Sequence, residues 1–273
     1  MKVEPFIQNS EQVLTFNGWN HFSNQLVVGF TTKNGGCSDK EFKSLNLGLH
    51  VKDEYNTVVS NRRILADILQ FPTENWVCSE QTHKNTIAKV MLDDLGAGVF
   101  TYEDSIKDTD GLYTTQKNIL LTLCFADCVP LYFFAPSKQI IGIAHAGWKG
   151  TVHDIAGELV RAWAKEGVMP HEIHALIGPA IDNCCYIVDD YVLNFVSALD
   201  EVNQKTYEKV SDNQYRLDLK IMNYQLMVRA GIPPEHIQVS SYCTSCENQL
   251  FFSHRRDAGK TGRMMSFIGF KED

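Results

Sequence analysis

The chain has 273 residues, with 25 Lys plus Arg against 33 Asp plus Glu and a formal charge of −8 with His neutral. Its 44% hydrophobic and 21% charged content is that of an ordinary globular protein, long enough to bury a core without covalent staples. The acidic balance argues against a general nucleic-acid binder, which needs a basic footprint, and leaves room only for a local basic pocket that takes a small anion.

Residues 1–16 carry Glu4, Gln8, Asn9, Glu11 and Gln12 and no long apolar run, which is not the pattern of a signal peptide. A strand is predicted over 26–31. An amphipathic helix follows over 54–70, with Val58, Leu65, Ile68 and Leu69 on one side and Arg62, Arg63 and Asp67 elsewhere. Short β-branched or aromatic strands are predicted over 76–79, 86–90, 119–125, 131–134 and 140–144, the last two joined as a hairpin through Pro136 and Ser137. A helix over 147–166 places Ile155, Leu159, Val160 and Trp163 at three- and four-residue steps and stops at Gly167. Strand 173–177, helix 218–230 ending at Gly231, and strands 238–241 and 264–268 complete the series.

The longest apolar runs, 119–123 and 129–135, are strand-sized and far below the roughly 18 residues of a membrane span. No repeat or low-complexity linker divides the chain. Strands occur both in hairpins and between helices, so the expected fold is a single-domain α/β (α+β) sandwich over 1–273, with a mixed β-sheet and flanking helices. Strand order is not legible from this pattern. The eight cysteines are too dilute for a disulfide scaffold. The chain therefore reads as a cytoplasmic protein with reduced thiols, available for metal binding or catalysis.

Three segments at strand ends carry the chemistry: Gln81-Thr82-His83, Ala126-Asp127-Cys128-Val129-Pro130 and His145-Ala146-Gly147-Trp148-Lys149-Gly150. If His83, Cys128 and His145 converge, two imidazoles and a thiolate make a three-ligand zinc set whose fourth position stays open to water. Such a zinc brings the pKa of that water towards neutrality. Asp127 is, by adjacency, a candidate acceptor behind the ligands. Spacing alone also fits a plainer reading, with Cys128 packed in the core beside Val129 and Pro130 and each His hydrogen-bonded at the surface.

Cys243 and Cys246 have the two-residue gap of many zinc and redox pairs. Cys184 and Cys185 are adjacent and look poorly placed to complete a tetrahedral site with them, so packing is expected for Cys246, with Cys243 left open as a pocket thiol. Cations gather near the same segments: Lys33 in Thr31-Thr32-Lys33-Asn34-Gly35-Gly36, Lys149 beside His145, and Arg255, Arg256 and Arg263 near the C-terminus. They could hold phosphate, or simply be solvated. No Walker-type or dinucleotide-binding fingerprint is present.

Eight segments in this order carry a resemblance. They are the Thr31–Gly36 segment just quoted, Ser44-Leu45-Asn46-Leu47-Gly48, the Gln81 segment, Asp108-Thr109-Asp110-Gly111, the Cys128 segment, the His145 segment, Gly178-Pro179-Ala180-Ile181, and Phe251-Phe252-Ser253-His254-Arg255-Arg256 with Thr261-Gly262-Arg263. Over about 28–268 the chain resembles the YfiH/YlmD family, also called the laccase-domain or multicopper polyphenol oxidoreductase family. The resemblance implies an α/β sandwich with a metal held by His83, Cys128 and His145, which would be both ligands and catalytic residues.

It further implies phosphorolysis of adenosine, inosine, guanosine and methylthioadenosine, together with adenosine deamination. Purine nucleosides and phosphate are then the partners, zinc the metal and copper the other ion these ligands suit. Lys33, Asn46, Lys149 and the C-terminal arginines are the candidates for holding substrate. Lys33 stands where the family usually has Arg, and Lys84 follows His83 where it usually has Gly. The rival activity is copper-dependent, laccase-like phenol oxidation. Blue multicopper oxidases draw on paired His-x-His motifs; this chain has nine His and no such pair.

Overall fold

In the computed structural model, which describes residues 3–199 and 206–272, the chain folds as strands stacked in layers between helices. The strands are β1 (Phe6–Gln8), β2 (Val13–Phe16), β3 (Leu26–Thr31), β4 (Trp76–Cys78), β5 (Ile87–Lys89), β6 (Gly111–Thr114), β7 (Leu120–Phe125), β8 (Val129–Ala135), β9 (Ile140–Ala146), β10 (His174–Ile177), β11 (Ile187–Val188), β12 (Tyr207–Ser211), β13 (Gln214–Leu217), β14 (Ile237–Val239) and β15 (Met264–Phe270). The helices are α1 (Tyr55–Leu69), α2 (Trp148–Val152), α3 (Ile155–Lys165), α4 (Asp190–Ser197) and α5 (Leu219–Arg229).

One six-stranded sheet runs β1-β2-β3-β15-β7-β4 and a second runs β14-β10-β8-β9-β6-β5, while β11-β13-β12 form a small third sheet. Both large sheets are mixed, antiparallel except for the β4–β7, β10–β14 and β5–β6 pairs. The expected mixed-sheet sandwich is therefore built from two sheets face to face.

Side-chain alternation explains the stacking. Along β8, Val129, Leu131, Phe133 and Ala135 face α3 and α5, whereas Tyr132 and Phe134 face the other sheet. On β15, Met264, Ile268 and Phe270 point to the inter-sheet core, and Met265 and Phe267 pack towards α1. Strands buried on both faces read as continuous apolar runs, which is how 129–135 appears in the sequence. Truncating one inter-sheet ring such as Phe30, Phe125 or Phe134 to Ala costs about 3–5 kcal/mol, so strand ends here are rigid supports.

Two expectations change. The helix over 147–166 is broken: Asp154 sits in the left-handed region at φ 57° and accepts a hydrogen bond from the Gly157 N–H, starting α3 afresh. This frees α2 to carry Trp148 towards the site. Arg62 is not on the polar face of α1 but only 2% exposed. Its guanidinium donates to the carbonyls of Leu47, Gly98 and Val99 at 2.7–3.0 Å.

Candidate active site

Strand pairing brings the three chemical segments together. Because β4 runs parallel to β7, the loop after β4 leaves beside the end of β7. Gln81 ties it there, accepting from the Cys124 N–H at 2.7 Å and donating to its carbonyl at 2.8 Å. The Ala126-Asp127-Cys128 turn carries the chain from β7 in one sheet to β8 in the other. Pairing of β6 with β9 sets Asp110 next to His145, whose N–H donates to the Asp110 carbonyl at 2.7 Å.

The ligand atoms of His83, Cys128 and His145 all lie within 4.8 Å of one another. The two imidazoles meet edge-on at 4.7 Å between centroids, with Phe125 against His145 at 5.2 Å. Zinc at about 2.0–2.3 Å from nitrogen and sulfur needs ligand atoms about 3.3–3.8 Å apart, a small adjustment for these side chains. A Cβ on Gly147 would stand 3.1 Å from both the Cys128 sulfur and His83 Cδ2, so glycine leaves open the space between the ligands. The residues fit a metal. We expect Gly147→Ala to weaken zinc affinity at least tenfold with little change in melting temperature, as calorimetric titration and thermal unfolding would show.

Asp110 organises this centre. It is fully buried, and its Oδ1 takes His145 Nδ1 at 2.8 Å and the His83 N–H at 3.0 Å, while Oδ2 takes the N–H groups of Thr82 and Lys84 at 3.0 and 2.9 Å. Committing Nδ1 to Asp110 leaves Nε2 of His145 as the ligand atom. The three N–H bonds also hold His83 in the left-handed region, at φ 62°, which costs a non-glycine residue about 1–3 kcal/mol elsewhere. Asp127, the acceptor expected from adjacency, works away from the ligands. Its carboxylate accepts from Thr244, Ser253 and the Arg255 N–H at 2.7–3.0 Å, clamping C-terminal segments around the turn.

Charges inside the centre follow. Burial pushes the Cys128 thiol up, but facing His145 and His83 outweigh it and bring it down to about 6. Burial works against charge on His145 as well, yet Cys128 and Asp110 raise it to about 9. Burial also opposes charge on Asp110, whose bonds from His145 and the loop N–H groups hold its carboxyl below the usual range.

A cavity of about 400 Å³ opens in front of the triad, within the usual span of small-molecule sites. Arg62, Arg255 and Arg263 line it, with His50, Tyr102, Trp148 and Tyr186 among its other walls. His50 is open to the cavity but surrounded by protein; that burial, with Arg263 and Arg62 beside it, lowers its pKa to about 4. It is neutral at physiological pH.

Lys33, Asn46 and Lys149 do not line the cavity. Lys33 pairs through its backbone with Leu250, Ser44 and Leu45, and burial and then the Arg256 charge lower its pKa. Lys149 is exposed beside the Trp148 ring, at 5.6 Å. Asn46 is buried, with Oδ1 accepting from the Arg263 N–H at 2.9 Å, so it acts on the cavity through that arginine. Lys84 does not line the cavity either; it is exposed and pairs with Asp108 at 2.8 Å.

Residues 27–271 match the family model described as multi-copper polyphenol oxidoreductase laccase. The chain belongs to that family. It is 48% identical to a Bacillus subtilis (strain 168) protein named purine nucleoside phosphorylase YlmD over 98% of both chains. It is also similar to two crystal structures. One is YlmD from Geobacillus stearothermophilus, with TM-score 0.96 and 48% identity over 99% of this chain and 100% of that one. The other is a Bacillus licheniformis hypothetical protein YfiH, with TM-score 0.95 and 51% identity over 98% and 100%.

For a member of a laccase-named family, the gathering of ligands here is modest. Among the described residues metal-capable side chains converge in two groups, the triad and a set of four cysteines. The second group corrects the expectation that Cys184 and Cys185 are poorly placed to join Cys243 and Cys246 in one site. Two tight turns fold the adjacent pair onto the spaced pair, and Cys243 does not line the cavity.

Proposed function

We propose that this chain is a metal-dependent purine nucleoside phosphorylase. It would cleave adenosine, inosine, guanosine and methylthioadenosine with phosphate to the free base and ribose 1-phosphate or its methylthio analogue, and also deaminate adenosine. The observation that carries the reading is the convergence of His83, Cys128 and His145 on a cavity that holds three arginines in an otherwise acidic chain. The name of the Bacillus subtilis relative, purine nucleoside phosphorylase, supports the same substrate class.

Phosphorolysis joins a phosphate oxygen to C1′ as the bond from C1′ to the purine nitrogen breaks, the electron pair leaving with the base. Arg255 and Arg263 are the cations free to grip phosphate, because each spends only part of its guanidinium on backbone carbonyls. Arg62, locked onto the carbonyls of Leu47, Gly98 and Val99 in the cavity wall, adds a fixed positive field. Neutral His50 and the Tyr102 ring, 5.7 Å away, with Trp148 and Tyr186, give the purine and ribose aromatic and hydrogen-bonding walls. A zinc held by His83, Cys128 and His145 would supply Lewis acidity and a water of lowered pKa, the chemistry that adenosine deamination calls for.

Zinc is proposed over copper because three nitrogen and sulfur ligands with a fourth position left open to water are the general form of a catalytic zinc site. A cytoplasmic setting is proposed as well. All eight cysteines are unpaired, and no described helix is long and apolar enough to cross a membrane.

The test supplies inosine to metal-replete protein with and without phosphate. We expect hypoxanthine and ribose 1-phosphate in equal amounts, and no base release when phosphate is withheld. Oxygen-consuming phenol oxidation with several coppers bound per chain, and no base release from any nucleoside, would favour the laccase reading instead.

A further inference from the structure

The four-cysteine group lies outside the chemistry above. Cys184 and Cys185 sit in the turn after Ile181, where the N–H groups of Cys185 and Tyr186 both donate to the Asp182 carbonyl. Cys243 and Cys246 sit in a second turn, closed by the Glu247 N–H donating to the Cys243 carbonyl at 2.9 Å. A bridge between Ala180 and Cys243, with the Thr244 N–H donating to the Ala180 carbonyl, holds the two turns side by side.

The sulfur geometry is specific. Cys184 Sγ lies 3.6 Å from Cys185 Sγ, 3.8 Å from Cys243 Sγ and 3.5 Å from Cys246 Sγ, and Cys185 Sγ lies 3.4 Å from Cys246 Sγ. A zinc ion with four sulfurs at about 2.3 Å has tetrahedral edges of about 3.8 Å. A disulfide would bring one pair to about 2.05 Å, and none of these pairs is near that distance.

The surroundings suit an anionic thiolate centre. Four thiolates around a divalent ion carry a net negative charge, and the buried ammonium of Lys220 bolts the two turns together. It pairs with Asp182 at 2.7 Å and donates to the Ser240 and Tyr242 carbonyls at 3.1 and 3.2 Å. The Asp182 N–H points at the Cys243 sulfur, 3.4 Å away. Cys184 and Cys246 are exposed, which gives an ion a way in.

We propose that Cys184, Cys185, Cys243 and Cys246 bind one zinc ion as a closed structural centre that braces one wall of the active-site cavity. Four protein ligands leave no open position, so this zinc does no chemistry. Its turns carry the wall directly. Ile181 and Tyr186 line the cavity, Arg255 stacks over the Tyr186 ring at 4.9 Å, and Thr244 between the paired cysteines donates to Asp127 at 2.7 Å. The centre therefore sets the position of Arg255, a proposed phosphate contact. Whether zinc binds here is independent of the nucleoside reading.

The test uses the full chain with the triad disabled by Cys128→Ser, prepared under reducing conditions and analysed for metal by plasma mass spectrometry. We expect about one zinc per chain, and cobalt exchange giving the intense thiolate charge-transfer bands of a four-sulfur site. Adding Cys184→Ser and Cys246→Ser should abolish both. Should that triple variant fold poorly, alkylation of the wild-type chain decides: Cys184 and Cys246 should resist the reagent with zinc present and react at least tenfold faster after chelation. A Cys128→Ser chain that holds no metal, holds iron in place of zinc, or is found with these cysteines joined as disulfides overturns the assignment. So does equal alkylation with and without chelator.

Discussion

We expect Asp110→Asn to weaken zinc binding by about 10–100-fold, the usual effect of losing the group that orients a metal-bound imidazole, and to destabilise the fold as well. The reason is the count of donors. Each oxygen of Asp110 faces N–H groups, with His145 and His83 on one side and Thr82 and Lys84 on the other. An Asn amide has only one oxygen, so either orientation turns an NH2 group onto donors that now face a buried carboxylate. Each donor left unpaired costs about 1–3 kcal/mol, and the left-handed backbone of His83 loses its main restraint. Asp108, two residues earlier, is the control. Its bond to Lys84 is exposed, so Asp108→Asn should leave melting temperature and zinc affinity unchanged. Zinc titration and thermal unfolding of both variants check this. Equal, small effects from the two would mean that Asp110 does not organise the centre.

How much of this is visible in the chain depends on which physical signal each residue carries. The strands that come through clearly, such as β7, β8 and β9, are buried on both faces and announce themselves as apolar runs. The small sheet of β11, β12 and β13 is largely exposed and polar, and carries no such pattern. His83, Cys128 and His145 stand out through ligand chemistry at strand ends, and the sheet pairing does bring their ligand atoms together.

Arg62 is misplaced by its charge, although a signal exists. Val58, Arg62, Leu65 and Leu69 follow four-, three- and four-residue steps, so Arg62 lies on the apolar stripe of α1 and has to be buried. The cysteine quartet escapes the sequence because adjacency along the chain says nothing about two turns meeting across a bridge. Asp110 shows only as part of a resemblance, since nothing local distinguishes an acid that binds three backbone N–H groups from one that binds none.

The Cys128→Ser variant should change both the strength and the pH dependence of zinc binding at the triad. Near neutral pH the unliganded wild-type centre holds Cys128 as thiolate, because its pKa is about 6, and His145 as imidazolium, because its pKa is about 9. Zinc needs the thiolate and a neutral imidazole. Between these two values one proton must leave His145 on binding, so affinity should rise about tenfold for each unit of pH. Below about 6 the thiol is protonated too, a second proton must leave, and affinity should fall away about a hundredfold per unit. Above about 9 the dependence should flatten.

Serine removes the thiolate, the largest of the influences that raise His145. The imidazole then becomes easier to deprotonate, and the variant should show a shallower slope near neutrality along with an affinity at least a hundredfold lower. If one metal serves both proposed reactions, phosphorolysis and deamination should fall together in this variant and recover together with excess zinc. Deamination lost while phosphorolysis persists would confine the metal to the deaminase reaction and leave phosphate attack to Arg255 and Arg263. A wild-type affinity that does not vary with pH between about 6 and 9 would show that the thiolate–imidazolium pair is not the resting state of this centre.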